Sequence, residues 1–84
     1  MTLETLAETP HVTGVKQVMK AVSKGKALCV FVANDADDRV TRPLKELCAE
    51  NGVELVDTAT MVELGKACSI DVGSAAAAAL NETR

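Results

Sequence analysis

Four lysines stand out for their spacing. Lys16, Lys20 and Lys24 recur at every fourth residue, Lys26 follows, and no acidic residue falls between His11 and Lys26. Gly14 and Val15 lead into the run and Gln17 lies inside it. On a helix beginning after Gly14, these residues suit one kind of chemistry. The unpaired N–H groups and partial positive charge of a helix start favour phosphate and other electron-rich groups. Lysines at i, i+4 and i+8 would add a line of point charges along the outward face. Lys16 could donate to guanine O6 or N7, and the amide of Gln17 could donate and accept at a purine edge.

The remainder of the chain has the opposite sign. The formal net charge is −3, so removing the +4 of these lysines leaves −7 on everything else. An ordinary exposed helix mixes signs to gain i, i+4 pairs, and this one does not. A lysine stripe opposite an apolar face is also what a plain solvated surface looks like, so spacing leaves both readings open. One basic patch on an acidic body suits docking on a single feature of a nucleic acid rather than tracking along a duplex, with a shallow salt dependence.

Other groups of polar residues read more plainly. Cys68 and Ser69 lie near Asp71, but no base is close in sequence, so a core thiol beside a helix end is the simpler reading. His11 reads as a surface or interface residue. Asp35, Asp37 and Asp38 resemble half a cation site but lack the glycine and final glutamate of a calcium loop, and read as caps and turn formers. Ile70 and Val72 flank Asp71 in an expected loop. Two β-branched residues around a charge there fit either an exposed lid or the start of a strand.

The elements that would position these residues follow from periodicity. Residues 3–7 can form a short helix ended by Pro10, with a brief extended piece at 11–13. Val15, Val18, Met19 and Val22 mark one buried face of a helix that puts Lys16, Gln17, Lys20 and Lys24 on roughly the other side, and Gly25 ends it. The run from Leu28 to Ala33 predicts a strand covered on both faces. After the polar turn NDADD, Thr41 is the expected N-cap of a helix with Pro43 in its first turn. Leu44, Leu47 and Cys48 line that helix's core face, and Asn51-Gly52 stops it. A second short strand covers 53–56. Thr60 and Glu63 form a capping-box pattern opening a helix to about Cys68. Five consecutive alanines, 75–79, favour helix by local propensity alone. Alternating helices and strands point to a three-layer α/β/α sandwich in one domain spanning residues 1–84.

Composition removes several classes of function. Phe31 is the one aromatic residue in 84, which all but excludes stacking of single-stranded bases on aromatic rings. Cys29, Cys48 and Cys68 make an odd count without a Cys-x-x-Cys pair, as expected of reduced thiols in a cytoplasmic protein. No metal site can be drawn around His11 alone, and no cofactor is expected. The opening MTLETLAETP is acidic and lacks a long apolar run, so it does not read as a signal peptide, and no window is long enough to span a membrane.

Three stretches in order, GVKQVMKAV, VFVANDAD and ELGKACSIDVGSAAAAAL, resemble the kink-turn-binding ribosomal-protein superfamily of archaeal L7Ae and eukaryotic L30e type, in particular its short bacterial members. The resemblance runs from Leu3 to Leu80. It implies an α/β/α sandwich with a mixed four-stranded sheet, and binding to RNA kink-turns, sharp bends built on tandem sheared G·A pairs. By position, Gly14 would let the backbone approach the RNA. Val15, Lys16, Gln17 and Lys20 would belong to the RNA-binding set, the last three contacting guanines and neighbouring phosphates. Ile70, Asp71 and Val72 would cover the extruded nucleotide. The alanine run becomes a buried strand, against local propensity. Lys16-Gln17 replaces the Asn-Glu of archaeal and eukaryotic members. Asp38 stands where proline is frequent, and Ser69 where glycine is common.

The resulting expectation is a small RNA-binding protein without catalysis. Its partner would be structured RNA with a kink-turn, ribosomal RNA being one candidate, and neither a membrane nor a small-molecule substrate is expected. Two rival readings remain: a protein-interaction or substrate-docking module, since related domains precede RNA methyltransferase domains, and a small enzyme using Cys68 or the aspartate turn.

Overall fold

A computed structural model describes residues 1–81; the last three residues of the expected 1–84 domain lie outside the described residues. The elements run α1 (Leu3–Glu8), β1 (His11–Thr13), α2 (Val15–Ser23), β2 (Ala27–Val32), α3 (Asp38–Asn51), β3 (Glu54–Val56), α4 (Met61–Ala67) and β4 (Ala76–Leu80). The sheet order is β1-β4-β2-β3. β4 pairs antiparallel with both β1 and β2, while β2 and β3 are parallel, so the sheet is mixed.

Alternation along β2 and β4 divides the interior in two. Cys29, Phe31, Ala33, Ala77 and Ala79 face α1 and α4, packing on Leu6, Leu64 and Cys68. Val30, Val32, Ala76 and Ala78 face α2 and α3, packing on Val18, Val22, Leu44 and Cys48. The three-layer expectation therefore holds.

The alanine run corrects the local reading and upholds the family-based one. Ala76 to Ala79 are fully buried in a strand hydrogen-bonded on both sides. Helix propensity separates residues by less than about 1 kcal/mol each, and tertiary pairing with two neighbours overrides it. Small side chains let helices approach both faces of this strand.

The start of α3 is also corrected. Thr41 is not its N-cap. Asp37 caps one turn earlier, its carboxylate accepting the Arg39 N–H at 2.9 Å. Thr41 is buried, and its hydroxyl turns back to the Asp37 carbonyl, a common fate for threonine inside a helix. Pro43 consequently lies within the helix rather than in its first turn. Asp38 occupies the first helical position, the place where proline is favoured, and its carboxylate accepts from Arg42.

Candidate nucleic-acid interface

Strand pairing decides which loops share an end of the molecule. Thr13, the last residue of β1, lies opposite Ala77, Val32 lies opposite Ala76, and Phe31 lies opposite Val56. The C-terminal ends of β1, β2 and β3 thus meet the N-terminal end of β4. Four segments gather there: Gly14 with the start of α2, the turn at 33–37, the loop before α4, and the loop at 69–75.

Backbone hydrogen bonds tie them together. Gly14 N–H donates to the Ala76 carbonyl at 2.9 Å, which also accepts the Ser74 hydroxyl at 2.6 Å. Ala33 N–H donates to Ala75 and Asn34 N–H to Ala59, at 2.9 and 2.8 Å. The alanine strand therefore fixes the helix tip relative to the loop holding Ile70, Asp71 and Val72.

The start of α2 differs from the other helix starts. Thr2, Asp37 and Thr60 each cap their helix with a side chain, whereas Gly14 gives α2 no side-chain cap. Among the described residues, the N–H groups of Val15, Lys16 and Gln17 have no acceptor. Gly14 adopts φ +91, with nothing within 4 Å of where a Cβ would stand. Unpaired backbone donors thus gather at the positive end of a helix dipole, with open space beside Gly14.

Lys16, Gln17 and Lys20 are exposed beside this opening, and Lys24 and Lys26 continue beyond them. The ion pairs among the described residues are Met1–Glu54, Arg39–Asp37 and Arg42–Asp38, so none engages these lysines. Val15 plays a different part from its neighbours: it is half-buried and packs on the α2–α3 core, supporting the tip from beneath.

The loop at 69–75 is built by tight backbone contacts. α4 ends with Ile70 N–H donating to Gly65 and Ser69 N–H to Lys66, the paired bonds of a Schellman motif. Its left-handed position falls on Ser69, at φ +61. The same motif closes α2 at Gly25 and α3 at Gly52. A residue other than glycine is thus held at positive φ where glycine is common in the family that the sequence resembles. Gly65 then lets the loop lie on α4, because a Cβ there would stand 2.2 Å from the Val72 carbonyl oxygen. Ile70 is half-buried, Asp71 is exposed, and the Val72 side chain is 71% exposed. The choice between lid and strand falls to an exposed loop.

The other polar groups settle into structural roles. Cys68 is buried in the α1–α4 core, and desolvation pushes its thiol above the ordinary range, as it does for Cys29 and Cys48. An activated thiol needs the opposite shift, so the Cys68 nucleophile reading loses its chemistry. His11 is half-buried in β1 and its Nδ1 donates to the Thr9 carbonyl at 2.7 Å. Asp37 is held below the usual carboxylate range by the Arg39 side chain and backbone. Among the described residues, no group of acids, cysteines and histidine is placed to hold a metal. No helix among them is long and apolar enough to cross a membrane. Sequence reasoning missed a specific partner for Asp35: its carboxylate accepts the Met61 N–H at 2.8 Å, 26 residues away. No local signal marks that contact.

Comparison with known proteins agrees with this architecture. The sequence model of the ribosomal protein L7Ae/L30e/S12e/Gadd45 family matches residues 3–84. An RNA-binding protein of Caldanaerobacter subterraneus, TTE2299, is 48% identical over 68 residues, covering 81% of this chain and 83% of that protein. The large ribosomal subunit protein eL8 of Halobacterium salinarum is 44% identical over 78 residues, covering 90% of this chain and 65% of that protein. Among solved structures, the Giardia lamblia 15.5kD RNA binding protein matches with a TM-score of 0.84 at 28% identity, covering 95% of this chain and 68% of that one.

Proposed function

The chain belongs to the ribosomal protein L7Ae/L30e/S12e/Gadd45 family, and on that premise we propose that it binds RNA, recognising the kink-turn through the start of α2 and the loop at 70–72. The observation that carries this reading is the uncapped start of α2, with three unpaired N–H groups, open space over Gly14, and exposed Lys16, Gln17 and Lys20.

The division of labour follows from chemistry. Lys16 donates to guanine O6 or N7, and the Gln17 amide bonds a second purine edge of the tandem G·A pairs. Lys20, one turn further along, neutralises a nearby phosphate. The free N–H groups at the tip donate to phosphate oxygens at the bend. Val72 and the exposed part of Ile70 cover an extruded base without needing an aromatic ring. Replacing a carboxylate-bearing pair by Lys16-Gln17 removes a charged acceptor for guanine N–H groups and adds a donor, which shifts the balance toward guanine O6 and N7.

Recognition of this kind is by selection of shape. A rigid tip that fits the kinked conformer but not the extended one shifts the RNA equilibrium by its difference in affinity. The protein acts as an architectural binder in a ribosomal or RNA-regulatory role and needs no catalytic group. Two or three phosphate contacts give a slope of log affinity against log salt of about −2 to −3.

The test is a gel-shift titration at fixed, stated salt, comparing a kink-turn RNA with the same RNA whose G·A pairs are made Watson–Crick. Tight binding to the first and weak binding to the second supports the reading. Equal affinity for both rejects kink-turn recognition.

A further inference from the structure

The turn at 33–37 carries no lysine and was not among the residues expected to touch RNA, yet it reaches the proposed binding loop through one side chain. The capping box of α4 is internally closed: Glu63 Oε1 accepts the Thr60 N–H at 2.8 Å, and Thr60 Oγ1 accepts the Glu63 N–H at 3.2 Å. The next N–H, on Met61, remains, and Asp35 takes it at 2.8 Å. Met61 is also where the binding loop is attached. The Ser74 N–H donates to the Met61 carbonyl at 3.1 Å. Gly73 lies so close that a Cβ there would stand 3.2 Å from the Met61 Cβ. One residue of α4 is therefore held by Asp35 through its N–H and by the loop through its carbonyl.

We propose that Asp35 is a positioning residue for RNA recognition: its carboxylate holds Met61, and through Met61 it sets where residues 70–74 sit beside the start of α2. The idea rests on the RNA reading above and adds a residue that touches no RNA. A helix of seven residues has few hydrogen bonds of its own to fix its first turn, so a cap from a distant strand end restrains that turn strongly. The neighbouring backbone bonds, Ala33 to Ala75 and Asn34 to Ala59, frame the same junction, and unlike them the Asp35 contact depends on a replaceable side chain.

Asp35→Ala removes the acceptor, whereas Asp35→Asn keeps an oxygen at the same reach and loses only the charge. Amide hydrogen exchange and RNA titration of the full chain are measured for both, with circular dichroism establishing that each variant is folded. In Asp35→Ala, exchange at Met61 and Ser74 is expected to rise roughly fivefold, with the amides of α2 unchanged, as loss of a cap worth about 1 kcal/mol implies. Kink-turn affinity should fall by a similar factor while the salt slope stays fixed, because no phosphate contact is lost. Asp35→Asn should restore both. Unchanged exchange at Ser74 in folded Asp35→Ala, or unchanged affinity despite faster exchange, overturns the proposal. A wild-type protein that fails to discriminate the two RNAs rejects the kink-turn reading itself, and the exchange data still decide whether Asp35 holds the loop.

Discussion

The N–H of Gly14 donates to the carbonyl of Ala76 at 2.9 Å, joining the residue before α2 to the first residue of the central strand. The same carbonyl accepts the Ser74 hydroxyl at 2.6 Å. One backbone oxygen thus sets the distance between the basic tip and the loop that faces it. The bond also explains the backbone at Gly14, which must turn sharply after leaving β1 for α2 to begin.

Gly14→Ala tests that geometry. Space is open for the methyl group, so the penalty is torsional: φ +91 with ψ 141 lies where residues with a side chain are strained by about 1–3 kcal/mol. The melting temperature should drop accordingly. RNA affinity should fall further than stability accounts for, because the freed N–H groups move with the tip.

Lys16→Ala combined with Gln17→Ala should leave the circular dichroism spectrum and melting unchanged, since both side chains are exposed and make no protein contact that would be lost. Discrimination between the kink-turn and its Watson–Crick counterpart should fall by about 2 kcal/mol or more, roughly 30-fold in affinity. Preserved discrimination in a gel shift would remove these two residues from the site.

Two changes probe the loop differently. Val72→Asp alters a side chain that is 71% exposed; it should weaken RNA binding about tenfold, or about 1.4 kcal/mol, without shifting the melting temperature. Gly65→Ala should perturb more than its position suggests. Its Cβ would collide with the Val72 carbonyl oxygen, so the loop must lift even though alanine favours the helix by about 1 kcal/mol. Backbone amide chemical shifts over 70–74 would report the displacement.

Ser69→Gly should stabilise the fold. A serine in the left-handed region pays roughly 1–2 kcal/mol, and glycine removes that while losing about 0.5–1 kcal/mol to a freer unfolded chain. The net gain is up to about 1.5 kcal/mol, a rise of several degrees in melting temperature for a domain this size. Thermal unfolding followed by circular dichroism measures it.

The cysteines predict both reactivity and a pH dependence. Burial raises all three thiols, so alkylation in native buffer should be slow and become fast in denaturant. Because the folded state favours the neutral thiol, the associated stability is fully present below the unfolded thiol value of about 8.5. It is lost as pH rises through the higher folded values. Denaturant midpoints measured from pH 7 to 10 should fall at the alkaline end.

Much of this was legible because local and tertiary preferences agree. The Val15, Val18, Met19, Val22 pattern located α2, and its polar side came out exposed. Thr60 and Glu63 announced α4 through a motif satisfied within four residues. Legibility failed where distant contacts choose between local options. Thr41 and Asp37 are both good caps, and Asp37 won because its carboxylate reaches the Arg39 N–H. The alanines read as helix until two neighbouring strands claim their hydrogen bonds. Asp35 looked like a turn former, and the partner 26 residues away exists only once β2 and α4 are folded together. That the loop at 69–75 and the start of α2 share one end of the sheet likewise follows from strand order, which periodicity does not give.

The outermost strands, β1 and β3, have three residues each, while the apolar segments of β2 and β4 lie between them. A second molecule adding to either margin would find at most a three-residue template, too little to seed a growing ladder. The segments with the strongest tendency to assemble into fibrils are thereby kept out of contact with other copies for as long as the fold persists. Solubility at high concentration should consequently track unfolding rather than surface composition, with aggregation setting in as the margins open.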